Sequence, residues 1–250
     1  MYIDTHCHIS KKYYEDITQI ILDNEHNGVG KIIMSCCDVD DIEESKNIIN
    51  DYPNVYATFG YHPDQIDKVC DDDLKKLETL IKSNNKIVGI GEIGLDYHYD
   101  GNRKKQKILF EAQLKIAENL KMPVVIHSRD ATKDTIDILK KYRVKGIIHC
   151  FSGSLETARE YISLGYRLGI GGVVTFKNSN LYKVLEQIDL KNIVLETDSP
   201  YLTPEPHRGK INSSKYIPII VEKIANVRKI SVDEVEKVTT NNALVVFDLK

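Results

Sequence analysis

Short apolar runs rich in β-branched residues recur along the chain at fairly even intervals, at 2–5, 31–35, 55–59, 86–91, 123–126, 145–148, 166–170 and 192–196. They are nearly continuously apolar rather than strictly alternating, the pattern of parallel strands covered on both faces. Between them, at 13–27, 38–50, 71–83, 103–120, 130–142, 154–164 and 178–188, apolar residues return at helical spacing among charged ones. The final stretch, 214–247, reads as two helices, and Ser231 with Glu234 three positions on has the form of a capping box opening the second. Eight strands, each followed by a helix, predict an α/β fold: a (β/α)₈ (TIM) barrel of ordinary size. The alternative is a doubly wound open sheet, and the absence of a glycine-rich phosphate fingerprint after the first run weakens it. No Pro/Gly/Ser linker, charge block or low-complexity tract divides the chain, so a single domain over residues 1–250 is expected.

Composition narrows the function classes. With 42% hydrophobic and 28% charged residues, the chain can build a packed core and is not disordered. A net charge of −3 argues against a broad basic surface gripping long stretches of nucleic acid. It leaves room for a small phosphate site whose positive charge comes from metal ions. Five cysteines, Cys7, Cys36, Cys37, Cys70 and Cys150, match neither a zinc ribbon nor a disulfide scaffold. Reduced thiols and a cytoplasmic location are the simple expectation. The N-terminal residues lack the basic and apolar regions of a signal peptide, and no apolar run approaches the roughly 18 residues of a membrane span.

The chemistry is concentrated at the ends of the predicted strands. His6 and His8 follow the first strand in Asp-Thr-His-Cys-His; alternation sends both to one face and Cys7 to the other. Glu92 closes the fourth strand, His127 the fifth, His149 the sixth and Asp198 the eighth. Each alone has a structural reading, a satisfied core histidine or a carboxylate capping the next helix. Together, six metal-competent side chains fall at the carboxyl ends of strands, where barrels of this kind place their active sites. Buried imidazoles and carboxylates without partners cost several kcal/mol, so such a cluster needs a cation or one another, and six such residues at one end favour the metal.

Further blocks accompany these residues: Gly60-Tyr61-His62-Pro63, Gly91 to Tyr97, Ile126 to Ala131, His149 to Gly153, Glu196 to Leu202, and Pro206-His207-Arg208-Gly209-Lys210. In that order they closely resemble the TatD family of metal-dependent deoxyribonucleases, within the amidohydrolase-like superfamily, and the resemblance covers essentially the whole chain. It implies two divalent cations (Zn, Mg, Mn, Co or Ni). His6, His8 and Asp198 would hold one, His127 and His149 the other, with Glu92 bridging both. A glutamate where many relatives in the superfamily carry a carboxylated lysine points away from the phosphotriesterase-like branch. Family members usually follow Pro-His-Arg-Gly-Lys with Arg-Asn-Glu-Pro, whereas this chain reads Ile211-Asn212-Ser213-Ser214. That loop is expected at the rim, so the departure bears on substrate contacts rather than on metals.

The function expected is hydrolysis of a phosphodiester in single-stranded DNA, or RNA, trimmed from an end, with Asp198 as ligand and proton acceptor. Nucleic acid is then the partner, with no membrane and no obligate protein partner. His62, Arg129, His207 and Arg208 form a second tier that could meet phosphate oxygens; for Arg129 the alternative is a salt bridge to Asp130 or Glu92. Tyr97 and Tyr201 are candidate base-stacking platforms. Cys7 and Cys150 should point away from the metals toward the helix layer. Two rival functions remain: a hydrolase of the same fold acting on another ester, an amide or a D-aminoacyl-tRNA linkage, and a non-catalytic binding protein, against which stands the complete ligand set.

Overall fold

The computed structural model describes residues 1–99 and 101–250. Its strands are β1 (Tyr2–Cys7), β2 (Val29–Cys36), β3 (Val55–Phe59), β4 (Ile87–Asp96), β5 (Val124–Arg129), β6 (Gly146–Ile148), β7 (Arg167–Ile170) and β8 (Ile193–Leu195). The helices are α1 (Ile17–His26), α2 (Ile42–Asp51), α3 (Asp71–Ser83), α4 (Arg103–Leu120), α5 (Thr132–Leu139), α6 (Leu155–Ser163), α7 (Leu181–Leu185), α8 (Ile217–Arg228) and α9 (Val232–Phe247). The strands form one eight-stranded parallel sheet in sequence order, as the repeated strand–helix pattern predicts. Its two edges meet through β1: Thr5 Oγ1 donates to Leu195 O at 2.9 Å, and the amides of Thr197 and Asp198 donate to His6 O at 3.3 and 3.0 Å. The sheet is therefore a nearly closed barrel.

Two apolar layers support the barrel. The larger fills the space between sheet and helices, through residues such as Ile21, Ile49, Leu77, Phe110, Leu168 and Ile224. The smaller draws one residue from each of six strands, Ile3, Ile33, Val88, Val125, Ile147 and Val194, and packs them with Ala243 and Phe247 of α9. Val125 and Ile147 stand two positions before His127 and His149, and Val194 four before Asp198, so this layer lies on the ligand face, deeper in the barrel. α9 closes that end, and the polar residues collect at the other. Local caps fit the sequence: Asp16, Asn102, Ser154 and Ser231 each accept an amide of the first turn that follows.

Several boundaries differ from expectation. β1 runs through His6 and Cys7 rather than stopping at Thr5. β4 does not end at Gly91; it continues to Asp96, pairing Gly94 with His127 and Asp96 with Arg129. Gly94 permits this close pairing, because a Cβ there would stand 1.9 Å from the carbonyl oxygen of His127. The seventh helical segment shrinks to Leu181–Leu185; ahead of it Ser179 Oγ accepts the amide of Leu181 at 3.2 Å, a local side-chain bond that competes with helix. Among the described residues no helix is long and apolar enough to cross a membrane.

Candidate metal centre

The polar end of the barrel opens into a cavity of about 770 Å³. His8, Glu92, His127, His149 and Asp198 line it, with His6 buried behind them. Glu92 stands at the centre, and its two oxygens face different histidines. Oε1 lies 2.7 Å from His127 Nδ1 and 2.8 Å from His149 Nε2. Oε2 lies 3.5 Å from His6 Nε2 and 3.8 Å from His8 Nε2. Asp198 Oδ1 stands 3.5 Å from both of these imidazoles. Three overlapping triads, His6–His149–Asp198, His6–His8–Glu92 and His62–Glu92–His127, each bring their ligand atoms within 4.8 Å of one another.

Backbone geometry sets these positions. His6 lies within β1, while His149 follows β6 with its amide donating to Ile126 O at 3.0 Å. Asp198 adopts a left-handed φ of 53°, which aspartate tolerates better than most residues, and so turns away from the line of β8 toward His6 and His8.

The charges are strongly coupled. Burial pushes the Glu92 carboxyl up, but His149, His6 and the hydrogen bonds of His127 and His149 outweigh it and hold the group well below the usual carboxylate range. Asp198 is likewise depressed: burial opposes, and the contacts to His6 and His8 prevail. Burial and the neighbouring His149 lower His6 to about 4, so it is a neutral donor of lone pairs. For His127 burial acts downward, yet the carboxylates of Asp96 and Glu92 raise it to about 10.

These residues fit a divalent cation. His6 is buried and both its ring nitrogens lack a hydrogen-bond partner, as does His149 Nδ1. An imidazole stripped of water and left unpaired is costly unless a ligand answers it. Two anionic carboxylates among nitrogen donors form a donor set suited to Zn, Mn, Co or Ni.

The second tier divides. His62 enters the cluster itself, its Nε2 3.9 Å from Glu92 Oε1. Arg129 lines the cavity with its guanidinium 5.3 Å from the Tyr99 ring centroid, and among the described residues it forms no ion pair; Asp130 meets His98 instead. His207 and Arg208 lie outside the cavity lining. His207 stacks on Tyr216, and Arg208 covers Phe176 at 4.1 Å. Tyr201 is at the mouth, bonded through its hydroxyl to Tyr13, whereas Tyr97 is drawn aside to Asp134 and Arg103.

Two expectations are corrected. Cys150 lines the cavity instead of facing the helices, because its φ of 47° breaks strand alternation. The 211–214 segment is not a rim loop: only Ile211 is exposed, while Asn212, Ser213 and Ser214 are buried. Asn212 Nδ2 donates to Thr197 O and Tyr201 O at 2.9 and 2.6 Å, bracing the turn that carries Asp198.

The sequence reading missed three buried acids beside the ligands. Asp96 Oδ2 reaches His127 Nε2 at 3.2 Å, Glu196 accepts the amide of Cys150, and Asp4 accepts from Thr197 Oγ1 at 2.6 Å. Burial and the charge of Asp198 raise Glu196 well above the usual range, and burial raises Asp4 to about 6. Spacing carried a signal for each: Asp4 is two before His6, Glu196 two before Asp198 and Asp96 four after Glu92.

Comparison with known proteins shows the family and the fold. The family model described as TatD related DNase matches residues 3–248. An uncharacterized metal-dependent hydrolase of Bacillus subtilis, YabD, is 38% identical over 99% of each chain. The Escherichia coli protein YcfH, likewise an uncharacterized metal-dependent hydrolase, is 32% identical over 99% of this chain and 96% of its own. The crystal structure of YjjV, a TatD homologue from E. coli, superposes with a TM-score of 0.93 at 29% identity, covering 100% of this chain and 98% of that one.

Proposed function

The chain belongs to the family of TatD-related DNases and is a metal-dependent hydrolase, and from that premise we propose that it cleaves phosphodiesters from an end of single-stranded DNA, with RNA as the alternative strand. The observation that carries this reading is the division of Glu92, one oxygen toward His127 and His149, the other toward His6 and His8. His6, His8 and Asp198 would hold one divalent cation and His127 and His149 a second, with Glu92 shared. Bound there, divalent cations lower the pKa of water toward neutrality and polarise a phosphoryl oxygen.

The chain's own groups supply the rest. Asp198 is anionic and next to the reacting centre, so it takes the proton of the attacking water. The water oxygen bonds to phosphorus, the bond from phosphorus to the leaving oxygen breaks, and that oxygen receives a proton. Arg129, free of carboxylate partners among the described residues, and His62 reach phosphate oxygens from the cavity wall. Tyr201, half-exposed at the mouth, offers a face to a base. A closed-ended pocket on a chain of net charge −3 suits a strand end better than a long duplex. With all five cysteines free, we place the activity in the cytoplasm.

The test follows end-labelled single-stranded DNA with metal-supplemented protein, with and without chelator, beside Glu92→Ala. Stepwise shortening abolished by chelator and by the variant supports the reading. Full metal occupancy with intact DNA rejects the nuclease and moves esters and D-aminoacyl-tRNA to the front.

A further inference from the structure

His127 is held from both sides. Its Nδ1 faces Glu92 Oε1 at 2.7 Å and His149 Nε2 at 3.1 Å, while Nε2 faces Asp96 Oδ2 at 3.2 Å. Asp96 is itself fixed. Its amide donates to Gln106 Oε1 at 3.0 Å, and its carbonyl accepts from Gln106 Nε2 at 2.7 Å, so α4 grips the last residue of β4 at both backbone groups. The other carboxylate oxygen, Oδ1, accepts the amide of His98 at 2.9 Å, which sets the rotation of the carboxylate plane. Asp96 and Gln106 are both buried.

A neutral imidazole carries one proton, and the nitrogen that carries it cannot bind a metal. A carboxylate facing Nε2 accepts a hydrogen bond from a proton held on that nitrogen and leaves the Nδ1 lone pair free. We propose that Asp96 is the positioning residue of His127, fixing the tautomer that turns Nδ1 toward the cation site shared with Glu92 and His149. The inference rests on the metal-hydrolase reading above. It explains why β4 runs past Glu92: the strand must deliver a second carboxylate, four residues further on, to the far side of the His127 ring.

An asparagine at this position separates orientation from packing. It keeps the shape of aspartate, but with its oxygen on the His98 amide it presents an NH₂ group to Nε2. That donor stabilises the tautomer protonated at Nδ1, the wrong one for binding. Metal-stripped wild type, Asp96→Asn and Asp96→Ala are titrated with Zn²⁺ against a competing chelator, and melting of the metal-free proteins checks that each is folded. Both variants are expected to lose about 10–100-fold in affinity for one of two Zn²⁺ ions, the usual effect of removing an outer-shell partner, with the other unchanged. Ring ¹⁵N spectra of the Zn²⁺-loaded wild type should show His127 protonated at Nε2. Wild-type affinity in Asp96→Asn overturns this inference alone. A folded wild type that binds no Zn²⁺ at His127 overturns both the inference and the reading beneath it.

Discussion

Gly169 on β7 and Glu196 after β8 share a space that one methyl group would fill: a Cβ at Gly169 would stand 2.0 Å from Oε2 of Glu196. Glu196 is fully buried, its carboxyl raised well above the usual range by burial and by Asp198, and its other oxygen accepts the amide of Cys150 next to His149. The carboxyl group thus ties the end of β6 to the end of β8 beneath the ligands.

Gly169→Ala should displace that group. Overpacking of this kind costs about 1–3 kcal/mol, and the strain falls beside His149. Urea denaturation should show the loss together with weakened metal binding. A variant as stable as wild type, with its metal affinity intact, would show that the neighbourhood yields and that Glu196 is dispensable.

Metal binding should release protons. In the metal-free protein Asp96 and Glu92, working against burial, raise His127 from 6.5 to about 10, so at pH 7 it is an imidazolium that must lose its proton to bind. The sign follows: affinity rises with pH between 6 and 8. The charged ring's contribution to metal-free stability is complete below pH 6.5 and is lost as pH climbs through about 10. His6, lowered to about 4 by burial and His149, releases none. Calorimetry in buffers of different ionisation enthalpy should report about one proton from His127 per cation bound at its site; heats independent of buffer would contradict the assignment.

Arg129→Ala separates substrate contact from structure. The guanidinium lines the cavity, rests on Tyr99 and forms no ion pair among the described residues, so its removal should leave the melting temperature nearly unchanged. A charged hydrogen bond to phosphate is worth about 1.5–3 kcal/mol, or roughly a 10- to 100-fold rise in KM for an oligonucleotide. An unchanged KM would remove Arg129 from the substrate site.

Asn212→Ala should act at a distance. It strips Thr197 O and Tyr201 O of buried donors, at a cost of about 1–3 kcal/mol, and loosens the turn that holds Asp198. The variant should melt lower and hydrolyse more slowly at saturating substrate. Replacing exposed Ile211 next to it should do neither. Equal effects at both positions would argue against the brace.

The barrel was legible because its signals are local. β-branched runs and 3.6-residue periodicity fix strand and helix within a few residues of each position, and parallel strands joined by helices leave few topologies. The six proposed ligands were legible because a metal restricts residue type and the fold restricts place, to the carboxyl ends of strands. The sequence did not reveal what stands behind them. Asp96 reads as part of a motif until it is seen against His127, 31 positions away. Asn212 reads as rim loop until its amide is seen on Thr197, 15 positions back.

By itself, then, the sequence determined the order of elements, the family and the kinds of atom offered to a cation, all encoded in short windows. Tertiary structure decided which oxygen of Glu92 meets which histidine, that His207 and Arg208 turn to Tyr216 and Phe176, and that Cys150 enters the cavity. Two physical reasons lie behind these outcomes. Alternation predicts a side chain's direction only while the backbone stays extended, and the left-handed residues Cys150 and Asp198 break that rule where the chemistry sits. Contacts across the barrel exist only once β8 has closed on β1.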